Sequence, residues 1–249
     1  MHVAVHYLPQ FVAETELAGR AVVIVDLLRA STTICQALAS GAECVVPCVE
    51  VDETWAKSRP HERSRIVLGG ERGGKRIAGF DLGNSPTDYS PDQVFGRTVF
   101  FTTTNGTRAL AHAHLARRVL IGAAVNRRAL VSTIAKEARI EILCAGTGGN
   151  VTREDVLAAG AIVDQLSPTA EQTNHWAAAA QREWQELEMT ARALGRSVSS
   201  QFADELRETQ GGKNLLALGF DNDLEVCAQL DTLGVIPELD QRTGQIRLP

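Results

Sequence analysis

The stretch Arg20-Ala-Val-Val-Ile-Val-Asp26-Leu-Leu-Arg29-Ala-Ser31-Thr32-Thr33-Ile-Cys35-Gln-Ala-Leu-Ala-Ser40-Gly41 decides the fold class. Residues 20–25 are an unbroken apolar run rich in valine and isoleucine, which reads as a buried strand ending at Asp26. Residues 31–40 read as a helix, and Gly41 stands where such a helix terminates.

The same alternation continues in both directions. Met1-His2-Val3-Ala4-Val5 is strand-like, 43–49 is the next strand, and a helix starts at Asp52. Residues 65–68 form a short strand that runs into the glycine-rich 69–74. Further strands are expected at 97–102, 118–123 and 140–145, with helices at 107–116, 127–139 and 152–166. Strand and helix in turn indicate an α/β fold, layered α/β/α, with a mostly parallel or mixed sheet. Such sheets carry their working loops at the carboxyl ends of strands, where Asp26, Gly70, Glu71, the run 102–105 and Gly146 all fall. From 169 to about 208 the composition turns alanine-, glutamate- and glutamine-rich, with Trp176 and Trp184 two helical turns apart. This is a helical C-terminal segment, packed across the sheet, whose tryptophans serve core or lid packing. Neither Pro168 nor Gly211-Gly212 belongs to a stretch long enough for a flexible linker. One compact domain over 1–249, with the helical segment at about 169–210 packed on it, is the expectation.

Composition narrows the function. The 249 residues are 44% hydrophobic and 22% charged, as in an ordinary globular protein. A net charge of -5 argues against a general nucleic-acid binder, which needs a basic face. No apolar stretch is long enough to cross a bilayer, and the N-terminus lacks the basic flank and apolar core of a signal peptide. A cytoplasmic location follows as an expectation, with no membrane and no nucleic acid as partners and a homo-oligomer left open. The five cysteines form no CxxC pair and read as reduced, buried residues; the six histidines show no metal-ligand spacing.

Five segments could carry chemistry. In Asp26-Leu-Leu-Arg29-Ala-Ser31-Thr32-Thr33, a carboxylate at a strand end can hold a divalent cation while Arg29 and the hydroxyls face an anion. The plain alternative is that Ser31 or Thr32 caps the helix and Asp26 receives backbone donors. Leu28 replaces the second acid that a haloacid-dehalogenase motif requires. Gly69-Gly70-Glu71-Arg72-Gly73-Gly74-Lys75-Arg76 has the glycines and lysine of a P-loop, but Arg76 stands where Ser or Thr must hold magnesium. What survives is a glycine-rich turn presenting Glu71 and Arg72. Gly79-Phe80-Asp81-Leu82-Gly83-Asn84-Ser85-Pro86 is turn-dense, with Phe80 and Leu82 pinning a loop that offers Asp81, Asn84 and Ser85. Thr102-Thr103-Thr104-Asn105-Gly106-Thr107 follows a strand and opens a helix, so free N–H groups and hydroxyls make a cradle for phosphate, sulfonate or carboxylate. In 144–155, Val151 breaks the dinucleotide fingerprint, and Thr152 with Asp155 resembles a capping box, with Asp155 facing the site left open as the alternative. Cys144 has no neighbouring His or Asp to activate it.

Together these motifs resemble the 2-phosphosulfolactate phosphatase family. The likeness rests on 25–33, Gly70-Glu71-Arg72, 79–86, 102–107, Glu154-Asp155 with Ala159-Gly160, and a tail through Leu218-Gly219, Asp223, Cys227, Asp231 and Val235-Ile236-Pro237. It spans nearly the whole chain; Leu27-Leu28 stands where the family usually has Val-Leu, and the stretch around Trp176 has no match. The resemblance implies magnesium-dependent hydrolysis of 2-phospho-3-sulfolactate, or a related small anionic 2-hydroxy-acid phosphate monoester, a step toward coenzyme M in methanogens. On that reading Asp26, Glu71 and Asp81 hold one Mg²⁺, and Arg29 and Arg72, with Asp26, act on the phosphoryl group. Ser31, Thr32, Asn84, Ser85, Thr103, Thr104, Asn105, Gly106 and Thr107 bind the substrate. Attack by metal-activated water and attack by Asp26 both stay open. A non-catalytic anion-binding or regulatory module of the same fold is the alternative. A nucleotide-dependent enzyme is opposed by the failed P-loop and dinucleotide spacings.

Overall fold

The computed structural model describes all residues, 1–249. Its strands are β1 (His2–His6), β2 (Ala21–Val25), β3 (Cys44–Pro47), β4 (Ile66–Arg72), β5 (Lys75–Arg76), β6 (Thr98–Thr102), β7 (Arg118–Ile121), β8 (Arg139–Cys144), β9 (Glu238–Asp240) and β10 (Gln245–Arg247). The helices are α1 (Glu14–Leu17), α2 (Ala30–Ala39), α3 (Val51–Ser58), α4 (Pro91–Val94), α5 (Gly106–His112), α6 (Arg127–Ile134), α7 (Arg153–Leu166), α8 (His175–Ala193), α9 (Val198–Glu208), α10 (Gln210–Ala217) and α11 (Asp221–Cys227). The fold is α/β with a mixed sheet, ordered β1-β8-β2-β7-β9-β10-β3-β6-β4-β5.

Two parallel runs make up most of that sheet, β1-β8-β2-β7 and β3-β6-β4. Between them the C-terminal pair β9–β10 bonds antiparallel on both sides, so the two runs point in opposite directions. The sheet curls enough that Ile24 of β2, Ile121 of β7 and Phe101 of β6 wall the same small apolar pocket. One cluster of 60 buried residues spans both runs. All five residues of β2 are buried, as its unbroken apolar run requires.

The elements expected from the sequence are present, although the helices expected at 107–116 and 127–139 end earlier, at His112 and Ile134, and two further differences fall at the glycines. The strand expected at 65–68 continues through Gly69 and Gly70 to Arg72. Gly70 is needed there: its φ is +142°, and a Cβ would stand 3.0 Å from the Thr102 amide nitrogen. Its absence lets β4 lie close along β6, which brings Glu71 to the end of that strand. The following Gly73 and Gly74, both with positive φ, form the two-residue turn of a hairpin pairing Glu71 with Arg76 and Arg72 with Lys75. This hairpin disposes of a phosphate-binding P-loop in physical terms, because no helix follows it.

The segment from 169 onward is longer than composition indicated. Helix α8 packs along α7 and β1, and Gly195 separates it from α9. Trp184 is fully buried and meets Phe202 edge to face, a core role, whereas Trp176 stays partly exposed beside Tyr7 and Phe11. No helix is long and apolar enough to cross a membrane.

Candidate active site

Asp26 follows β2 directly, and the turn after it is fixed by reciprocal bonds. The Asp26 amide donates to Ser31 Oγ at 2.9 Å, and the Ser31 amide donates to the Asp26 carbonyl at 2.9 Å. Ser31 Oγ also donates to the Ile24 carbonyl, and Thr32 Oγ1 donates to that of Leu27 at 3.0 Å. Both hydroxyls, expected to face substrate, are therefore turned to the backbone. Their work is to set the turn that carries Asp26 and Arg29.

The Asp26 carboxylate receives N–H groups from Ala30 and from Gly106, the first residue of α5. Burial, and then the charge of Glu71, push its pKa up to about 7. Glu71 is held from two directions: Oε1 accepts the Thr104 amide at 2.8 Å and Oε2 accepts the Gly74 amide at 2.7 Å. Three separated loops thus meet at two carboxylates. They line a cleft of about 380 Å³ together with Arg29, Asn84, Asn105 and Thr147. That volume suits a small molecule.

The threonine run divides by function. Thr104 and Asn105 reach the cleft; Thr104 Oγ1 is buried without a partner, and Asn105 Oδ1 accepts the Gly148 amide at 3.1 Å, leaving the Asn105 NH₂ group to point elsewhere. Gly106 contributes only its N–H, to Asp26. Thr107 Oγ1 donates to the Thr103 carbonyl at 2.9 Å, closing the first turn of α5. Thr103 is buried behind the cleft with its own hydroxyl unpartnered. Asn84 lines the cleft with a buried Oδ1 that has no partner, while Ser85 points away and donates to Asp223 at 2.6 Å.

Two expected site residues lie elsewhere. Arg72 turns its guanidinium to the carbonyls of Glu71 and Val49 and to Thr102 Oγ1, at 2.8–3.0 Å, and does not line the cleft. Strand alternation is the reason: Glu71 faces the cleft, so its neighbour faces away. Asp81 accepts the Leu68 amide at 2.8 Å and pairs with Arg63, pinning its loop to β4. It is not near enough to Asp26 and Glu71 to share an ion with them, and no group of three His, Cys, Asp or Glu side chains forms a ligand set.

Residues outside the expected site set complete the walls. Gly211, Asn214, Leu215, Ala217 and Leu218 come from α10 and its end. Glu154 lies behind Gly211, where any Cβ would strike its carboxylate; Oε2 is buried without a partner, and burial raises its pKa. Asp155 accepts the amides of Leu27 and Gly146, each at 2.9 Å, and so ties the Asp26 turn to the loop after β8. Burial, followed by the charges of Asp26 and Glu154, raises its pKa well above the usual range. Cys144 is fully buried and its thiol is pushed far up by burial, which rules it out as a nucleophile.

Comparison with known proteins shows the family. A family model described as 2-phosphosulpholactate phosphatase matches residues 6–242. A probable 2-phosphosulfolactate phosphatase of Symbiobacterium thermophilum is 40% identical over 234 residues, 94% of this chain and 96% of the relative. Proteins of the same name from Caldanaerobacter subterraneus subsp. tengcongensis and a Synechococcus species are 34% and 38% identical, each over 235 residues. They cover 94% and 93% of this chain, and 92% and 93% of their own lengths. With a match this long on both sides, the chain belongs to the 2-phosphosulpholactate phosphatase family.

Proposed function

We propose that the protein is a magnesium-dependent phosphatase that releases phosphate from a small 2-hydroxy-acid phosphate, with 2-phospho-3-sulfolactate as the first candidate. The reading is carried by one observation: Asp26, Glu71, Arg29, Thr104 and Asn105, from three separated loops, line one cleft of small-molecule size.

Charge favours the cation. Asp26 and Glu71 are both acidic and buried, and the one arginine lining the cleft, Arg29, already faces the buried carboxylate of Asp223. A phosphate monoester is a dianion, so the protein alone offers it no net attraction. Magnesium is commonly held by one or two carboxylates plus substrate phosphate and water. Asp26 and Glu71 fit that description, since each oxygen of Glu71 spends only one acceptor site on a backbone amide. When bound, the ion would neutralise phosphoryl charge and polarise the ester.

The chain's own groups do the rest. Arg29 directs its unused N–H donors at the phosphoryl oxygens, and Thr104 and Asn105 add neutral donors. Such preorganised contacts are worth about 3–4 kcal/mol each where charge builds in the transition state. Burial and the charge of Glu71 raise the pKa of the Asp26 carboxyl to about 7 in the free site, and a bound cation would hold that carboxyl ionised. The Asp26 carboxylate either takes the proton of an attacking water or attacks phosphorus itself. In both routes water finally supplies oxygen to phosphate, the ester P–O bond breaks, and the proton returns to the hydroxy acid. Trapping a phosphoenzyme separates the two routes.

The test is phosphate release from a panel of 2-phospho-hydroxy-acids, with and without a sulfonate, in magnesium and in EDTA. Release that requires magnesium supports the reading. No release from any member would leave an anion-binding module as the function.

A further inference from the structure

We infer that Asp223 is a positioning residue for this reaction: it fixes the plane of the Arg29 guanidinium so that the remaining N–H donors meet the phosphoryl oxygens. The inference deepens the phosphatase reading of the same cleft and rests on it.

Arg29 is only 2% exposed, yet it lines the cleft. Its Nη1 donates to Asp223 Oδ2 at 2.6 Å and its Nη2 donates to the Gly74 carbonyl at 3.0 Å. The Phe220 ring lies 4.3 Å from the guanidinium carbon. A guanidinium carries five N–H donors in a rigid fork, so three remain after these two bonds. Asp223 is held in turn: its Oδ1 accepts Ser85 Oγ–H at 2.6 Å, and Ser85 Oγ lies 2.8 Å from Thr87 Oγ1. Two hydroxyls, a carboxylate and an aromatic face therefore constrain one cation.

A buried ion pair contributes little net stability, because desolvation offsets the attraction. What this arrangement does supply is a donor fork of fixed direction at the wall of an anion site. Arg29 comes from the loop after β2 and Asp223 from α11, so the C-terminal helices enter the chemistry through this contact.

Asp223→Asn keeps the shape and one acceptor while removing the charge. Turnover per folded molecule should fall about ten- to a hundredfold, the usual effect of removing an outer-shell partner, with a much smaller change in KM. Ser85→Ala leaves the ion pair in place and should lose about tenfold, the low end for a hydrogen bond to a charged group; it serves as the second variant if Asp223→Asn does not fold. Because Asp223 acts through Arg29, Asp223→Asn combined with Arg29→Lys should turn over no more slowly than Arg29→Lys alone. Titration with inorganic phosphate in the presence of magnesium gives a readout independent of turnover, and the same variants should bind it more weakly. A purely structural Asp223 would lower the melting temperature and leave turnover per folded molecule unchanged, which overturns the inference, as do losses that multiply in the double variant. Should the wild type bind phosphate but hydrolyse no ester, the functional reading fails and phosphate affinity decides: weaker binding in Asp223→Asn sustains the positioning role, and equal binding ends it.

Discussion

Gly106 starts α5 beside Asp26, and alanine in its place tests how tightly the site is built. The added methyl would stand 2.7 Å from Asp26 Oδ2, 2.8 Å from the Ala30 methyl and 3.3 Å from Thr103 Oγ1. None of these is the tip of a long flexible chain: Asp26 follows β2, Ala30 opens α2, and Thr103 is buried. Gly106 does not have a positive φ, so the cost is steric alone. Overpacking of this kind costs about 1–3 kcal/mol. Replacing a helical glycine by alanine returns about 1 kcal/mol. The net loss of about 0–2 kcal/mol should lower Tm by no more than about 8 °C, at 2–4 °C per kcal/mol for a chain of this size. Activity should suffer far more. Relieving the shortest of these contacts displaces the Asp26 carboxylate, and a shift of about 1 Å in a reacting group costs about a hundredfold. Phosphate release and thermal melting, measured on one preparation, separate the two effects. Gly83→Ala is the control, since its methyl would meet nothing closer than 3.6 Å. If Gly106→Ala keeps turnover within about threefold of wild type, the proposed placement of Asp26 at the reacting centre is wrong.

Asp26→Asn retains an oxygen for the Ala30 amide, so it should fold normally while turnover falls at least about a hundredfold, read from kcat and circular dichroism. Magnesium at a hundred times its Kd should stabilise the protein by about 3 kcal/mol, raising Tm by about 6–12 °C. That shift should vanish in Glu71→Gln and persist in Asp81→Asn, whose carboxylate serves the Leu68 amide and Arg63 instead. Burial lifts the Asp231 carboxyl, but the Arg127 guanidinium outweighs burial and holds its pKa below the ordinary value. The lowered value means that its contribution is full above the unfolded pKa and is lost as pH falls through the folded one. Asp231→Asn should therefore melt below wild type at pH 7, with the gap narrowing as pH drops below about 4.

How much of this was legible depended on whether local pattern or distant geometry decided the outcome. Strand β2 and helix α2 were readable because a fully buried strand is apolar throughout and a helix repeats at its own period. Asp26, Glu71 and Thr104 were readable because strand ends in such sheets carry the working loops. Side-chain direction was harder. Arg72 adjoins Glu71, and only the continuation of β4 through Gly69 and Gly70 shows that the two face opposite ways. Ser31, Thr32 and Thr107 have the hydroxyls an anion site wants, but local backbone carbonyls claim them first. Strands β9 and β10 left almost no signal, since Glu238-Leu239-Asp240 and Gln245-Ile246-Arg247 carry one apolar residue each. Their strand state comes from the neighbours on either side, not from their own composition.

The position of those two strands explains why the site needs the end of the chain. The β9–β10 pair lies between β7 and β3, so the last strands in sequence join the two parallel runs. Helices α10 and α11 precede that pair and are drawn over the cleft by it: α10 supplies Gly211, Asn214 and Leu215 to the wall, and α11 supplies Asp223. Asp223 meets Arg29 across 194 residues of sequence. A contact of that span carries a loop-closure cost, which the packing of α9, α10 and α11 on one another and of α10 on α7 helps to offset. Asp26 and Glu71 thus come from the parallel runs of the sheet, whereas Arg29 takes its buried partner, and the cleft one of its walls, from the C-terminal helices.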